Sequence, residues 1–140
     1  METHALRLLV RANKTAFEPQ RIENHRAALP TDTAPTGDVP KSVIGCWIEI
    51  FDRRDRILYR RFIHYLPHNL KSTWPEWSNR QRAQAAYWIT LPLLKKAHCI
   101  ALFEQRLPSA QQRVPERYCH FNLVINREQL KPATAQELSA

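Results

Sequence analysis

Six histidines and three cysteines are the residues of this 140-residue chain best suited to chemistry, and their spacing decides how far that suitability goes. The pairs His98-Cys99 and Cys119-His120 suggest metal ligation. Both lie in stretches of strand character, where adjacent side chains point to opposite faces, so neither pair can give two ligands to one ion. No C-x2-C and no H-E-x-x-H is present. A cross-strand site from Cys99 and Cys119 with a distant histidine is geometrically open, but buried thiols beside exposed histidines are the simpler reading. His64 and His68 are four apart, as on one helical face, yet Pro67 between them disfavours a helix. Nucleophilic catalysis needs an activated Ser or Cys, a base and an orienting acid. No G-x-S-x-G elbow and no phosphate-cradling glycine loop occurs, and a Cys119/His64/Asp52 arrangement has no motif behind it. The expectation is a non-enzymatic protein with no metal and no other cofactor.

Binding chemistry is better represented. Basic and aromatic residues interleave at Tyr59-Arg60-Arg61-Phe62 and again at Trp74, Trp77, Arg80, Arg82, Tyr87 and Trp88. Exposed aromatics beside arginines can stack nucleobases. In a β protein, however, most such rings fill the core while arginine stems cover its rim. Trp74 and Trp77, in the loop-like TWPEW, stand outside any strong strand, and Trp and Arg are enriched at interface hot spots. With Arg53, Arg54, Arg60 and Arg61 they form the candidate partner-binding set. The stretch IEIFDRRDRILYRR reads as a hairpin whose tip, Asp52 to Arg56, sets two acids among three arginines. Arg60 and Arg61 point to opposite faces and cannot both line one site without a bulge.

The elements that must position these residues have a period of two. Leu6, Leu8 and Val10 share one face of a first strand; a weaker segment over 17–29 contains Pro19 and reads as an edge strand or a partly irregular segment. LPTDTAPTGDVPK is a loop long enough to cross between sheets. Cys46, Ile48 and Ile50 alternate against Trp47, Glu49 and Phe51, and Ile57, Tyr59 and Ile63 against Leu58, Arg60 and Phe62. Residues 86–92 read as a strand ended by Pro92, preceded by at most one helical turn capped by Ser78. HCIALFEQRL is apolar on both faces, as a central strand is, and CHFNLVIN closes the set. About seven short strands and almost no helix predict an antiparallel two-sheet sandwich over residues 1–128, with a barrel as alternative and a polar tail over 129–140. Only two glycines are available, so the turns must be of types that accept ordinary residues.

WIEIF, the charged turn and ILYRR, together with AAYWITLPLLKKAHCIALFEQ, resemble paired strands of small uncharacterised bacterial immunoglobulin-like sandwich domains. The resemblance spans 43–65 and 85–107 and departs from that pattern at Arg56, where a turn glycine is expected. It implies a fold and carries no activity.

Composition sets the outer limits. A hydrophobic fraction of 44% and a charged fraction of 24% are those of an ordinary globular protein. No run reaches the length of a membrane span, and METHALRLLVRANK lacks the form of a signal peptide, so a soluble cytoplasmic protein is expected. Three cysteines far apart argue against a disulfide framework, although one bridge remains open. The net charge of +8 attracts polyanions but is spread along the chain. The favoured expectation is therefore a protein-interaction or self-association module, its partner another protein or a second copy. A module for polyanions or single-stranded nucleic acid is the alternative.

Overall fold

The computed structural model describes residues 3–13, 16–67, 85–106 and 116–130. They form seven strands: β1 (Thr3–Ala12), β2 (Phe17–Ala27), β3 (Gly45–Phe51), β4 (Ile57–Phe62), β5 (Ala86–Pro92), β6 (Cys99–Arg106) and β7 (Glu116–Val124). Two sheets result, one in the order β2-β1-β5 and one in the order β4-β3-β6-β7, and every neighbouring pair is antiparallel. This is the all-β, two-sheet sandwich that the alternation predicts. Within the three-stranded sheet β1 is central and pairs with both β2 and β5.

The alternation explains why the sheets face each other. Leu6 and Leu8 of β1 sit opposite Leu91 and Ile89 of β5, and Ile48 and Ile50 of β3 opposite Leu102 and Ile100 of β6. All eight are fully buried and belong to one core cluster, which Phe17, Ile63 and Ile125 extend. A one-residue slip in either register would turn these apolar sets out to water, so the pairing is strongly specified. β6 lies inside its sheet, as its two apolar faces require, and β5 ends at Pro92 on a sheet edge. β2 is also an edge strand. Its pairing with β1 shifts between Leu9 and Val10, leaving Gln20 as the extra residue beside Pro19.

A second apolar layer lies outside the four-stranded sheet. Trp47 alternates with the core residues Cys46 and Ile48, yet is 1% exposed. Its ring stacks on Phe103 at 5.8 Å between centroids and meets Phe62 at 5.6 Å. The proline-rich crossover, residues 28–44, is bonded to strands of this sheet. Ala34 N–H donates to Arg60 O, Gln105 Nε2 to Pro40 O and Val43 O, and Arg117 to Val39 O. Buried Trp47 and half-buried Phe103 therefore do not fill the inter-sheet core, where the sequence reading put most of the rings.

Helix is nearly absent among the described residues. A 3-10 turn, Arg127–Gln129, follows β7, and Leu130 packs against the core. The helical turn weighed before β5 lies outside the described residues. Among those described, no helix is long and apolar enough to cross a membrane. All three cysteines are free thiols, which leaves no bridge between Cys46, Cys99 and Cys119.

Candidate functional site

The hairpin tip is built around Asp52. Asp55 N–H donates to Asp52 O at 3.1 Å, closing a four-residue turn, and Asp55 then takes φ +60°. A tight turn followed by a left-handed residue is the usual glycine-bearing hairpin design, and here Asp55, not Arg56, occupies the glycine position. Aspartate tolerates that region better than most side chains. The Asp52 carboxylate accepts from Arg54 N–H and Arg56 N–H, both at 2.9 Å, and from Arg56 Nε at 2.8 Å. Those backbone donors, with Arg56, hold its pKa below the usual carboxylate range. Asp52 and Arg56 are thereby committed to the turn, and Arg53 and Arg54 project into solvent.

Two further segments meet this tip. Ala97 N–H donates to Leu94 O, making the β5–β6 turn that exposes Lys95 and Lys96. His98 N–H donates to Phe51 O at 2.7 Å, and Ile125 N–H to His98 O at 2.8 Å, so the three segments are stitched side by side. Arg127 locks the assembly through carbonyls of the β5–β6 turn: Leu94 O, Lys95 O at 2.9 Å and Ala97 O. An open cleft of about 840 Å³ lies between them. Six cations (Arg53, Arg54, Arg56, Lys95, Lys96 and Arg127) line it against two acids, Asp52 and Glu128. Its floor is apolar, with Ala97, Ile125 and Val124, the last 60% exposed. Among the described residues no Phe, Tyr or Trp lines it, and the ring present is the imidazole of His98.

The other candidate residues fall elsewhere. Arg60 is buried on the outer face of the four-stranded sheet, its side chain 5% exposed. It donates to Glu49 Oε1 from Nε at 3.1 Å and from NH2 at 2.8 Å, and to the crossover carbonyls Pro35 O and Gly37 O. Trp47 Nε1 donates to the same carboxylate oxygen at 3.0 Å. Arg60 is thus a structural clamp, which removes it from any contact surface. Arg61 pairs with Asp32 at 2.9 Å, its side chain turned to the other face of β4. Trp74 and Trp77 lie outside the described residues. Of the four candidates among the described residues, Arg60 and Arg61 do not join the others, and Arg53 and Arg54 come together. Lys95, Lys96 and Arg127 join them through strand pairing between segments about 40 and 70 residues apart, for which a sequence carries no local signal.

A separate polar group sits on the inner face of the four-stranded sheet. Cys46 and Glu104 are directly opposite across β3 and β6. The β6–β7 register shifts between Leu102 and Phe103, leaving His120 as the extra residue of a bulge. Its ring turns inward, while Cys119 keeps to the outer face. His120 Nε2 lies 2.7 Å from Glu104 Oε1, and Nδ1 accepts from Phe17 N–H at 3.1 Å, so the neutral ring carries its proton on Nε2. Glu104 Oε2 is paired with Arg106 at 2.8 Å. Burial, with Glu104 close by, pushes the Cys46 thiol up to about 12. Both ring nitrogens are engaged elsewhere, Nε2 by Glu104 and Nδ1 by Phe17 N–H, so this is not the arrangement of a nucleophilic triad. The pair weighed from sequence, Cys99 and Cys119, is separated along the outer face, opposite Val124 and Phe103 respectively.

The chain matches no protein-family model, and comparison with curated proteins and with solved structures gives no match.

Proposed function

We propose that this protein is a non-enzymatic interaction module that docks an acidic segment of a partner protein in the cleft between the β3–β4, β5–β6 and post-β7 turns. The observation that carries the proposal is the convergence of six cations on that cleft around an exposed valine. Four of the cations, Arg53, Arg54, Lys95 and Lys96, are exposed in the turns they stand on. An array of exposed cations steers an acidic ligand and selects it, and the apolar floor supplies contact area for an aliphatic side chain of the same segment.

The competing reading is a module for single-stranded nucleic acid, favoured by the net charge of +8. Such modules stack bases on aromatic side chains, and among the described residues the cleft lining offers the imidazole of His98 and no Phe, Tyr or Trp. Fluorescence anisotropy separates the two. A labelled Glu/Asp-rich peptide with interspersed leucines is titrated beside a labelled oligothymidine, each over a salt series. The peptide is expected to bind, and the quadruple variant R53E/R54E/K95E/K96E to lose that binding while R61E keeps it. Tighter binding of the oligonucleotide, with a log–log salt slope near −3 for about four phosphates, would replace the proposal with the nucleic-acid reading. Binding of neither probe at low salt would remove both.

A further inference from the structure

Among the described residues, the inner face of the four-stranded sheet is apolar along Ile48, Ile50, Ile100 and Leu102, and then gives way to a thiol, a carboxylate and an imidazole. One ligand atom from each of Cys46, Glu104 and His120 lies within 4.8 Å of the other two. The three come from three strands, and the bulge in β7 is what turns the imidazole toward the other two. We propose that Cys46 Sγ, Glu104 Oε1 and His120 Nε2 form a binding site for Zn²⁺.

The donor set suits that ion. Thiolate, imidazole and carboxylate are the three ligand types of protein zinc, a borderline-soft cation with no demand on geometry beyond a roughly tetrahedral shell. Bond lengths of about 2.0–2.3 Å at tetrahedral angles put an N···O ligand pair about 3.3 Å apart and an S···N pair about 3.6 Å apart. The His120–Glu104 contact of 2.7 Å must therefore open by about 0.6 Å, and the thiol must close by at most about 1.2 Å. Both shifts are within the reach of side-chain rotation. A thiolate and a carboxylate together offset the two charges of the ion, while Arg106 adds one positive charge beside Glu104. Arg106 pairs with Oε2 of Glu104, and Oε1 is the oxygen that faces His120 Nε2.

Binding moves two protons. Cys46 releases its thiol proton to solvent, since a coordinating thiol is deprotonated outright. The imidazole stays neutral and transfers its proton from Nε2 to Nδ1, so that Nε2 can ligate. Phe17 N–H then loses its acceptor and must turn away, which makes that amide a reporter at the start of β2. The site is closed to solvent, so the ion enters as the sheets close.

The test uses the full chain, stripped with a chelator under denaturing conditions and refolded with Zn²⁺ or Co²⁺. Refolded protein is expected to retain one zinc per chain after dialysis. The cobalt form should show a near-ultraviolet thiolate-to-metal band, and the Phe17 amide resonance should shift on loading. C99S/C119S should keep all three properties. C46A, with folding checked by its own amide spectrum, should bind at least 100-fold more weakly. Absence of a thiolate band in the wild type, which needs no variant, overturns the proposal. So does a band lost in C99S/C119S, or zinc retained unchanged by C46A. Zinc bound with a stationary Phe17 resonance would reflect surface histidines and overturns it equally.

Discussion

Replacing Arg60 with methionine is the most demanding test of the outer layer. The substitution keeps the aliphatic stem but removes four donor contacts: two to Glu49 Oε1, one to Pro35 O and one to Gly37 O. Glu49 is left with Trp47 Nε1 and, at 6% side-chain exposure, no compensation from water. Breaking a buried pair by removing one partner costs about 3–5 kcal/mol, mostly the penalty of the stranded charge. At roughly 3–4 °C per kcal/mol for a chain of this length, the melting temperature should fall by about 10–20 °C. The double variant E49L/R60M removes the stranded charge and should recover most of the loss, giving a coupling energy of at least about 2 kcal/mol in a double-mutant cycle. The crossover should also loosen, so that trypsin cuts after Lys41 faster in R60M than in wild type. Urea unfolding of the four proteins supplies the free energies. A cost for R60M below about 1 kcal/mol, with cleavage at Lys41 unchanged, would refute the clamp and return Arg60 to the surface.

Three other outcomes follow from the turn and the thiols. Asp55→Gly should stabilise the protein by up to ~1 kcal/mol and Asp55→Ala destabilise it, because only glycine takes φ +60° without steric cost; urea midpoints decide the sign. Asp52 has a folded pKa below its unfolded value, so its contribution is fully present above about pH 4 and is lost as pH falls through the folded pKa. Asp52→Asn keeps an acceptor for both backbone donors but not the charge, and should flatten the pH dependence of stability in that acid window. Among the cysteines, Cys119 is exposed while Cys46 and Cys99 are buried, and burial raises the pKa of all three. A disulfide reagent at pH 8 should therefore label one thiol slowly in the folded protein and three in denaturant; fast labelling of Cys46 would contradict its burial.

What the sequence revealed and withheld divides along one line. Period-two alternation depends on local chain geometry, so Leu6, Leu8, Ile48, Ile50, Ile89, Ile100 and Leu102 were legible as core, and the strands 86–92 and 99–106 with them. Bulges interrupt that period without a residue signature of their own. His120 was therefore read as facing away from the core-side neighbours that it joins. Burial on the outer sheet face depends on what the crossover does at a distance, which is why Arg60 reads as a contact residue in sequence and is a buried clamp in the fold. The tip arginines were visible in DRRDR, whereas their convergence with Lys95 and Lys96 needed the order β4-β3-β6. The scarcity of glycine did predict a turn built from ordinary residues, and Asp55 shows how: the left-handed position went to the residue type best able to bear it after glycine and asparagine.

The central position of β1 has a consequence for the order of events as the chain is made. Its hairpin with β2 needs only the first 27 residues, but its other edge waits for β5, with Ala5 finally meeting Pro92. Likewise β3 pairs locally with β4 and must wait for β6, with Gly45 meeting Gln105. Both sheets thus close through seams of high sequence separation, a topology that folds in milliseconds to seconds rather than microseconds. Until about residue 92 has been synthesised, β1 presents an unpaired edge backed by Leu6, Leu8 and Val10. During that interval the nascent chain is most exposed to pairing with a neighbour, and slowing synthesis between β2 and β5 should raise the yield of aggregate more than slowing it after β6.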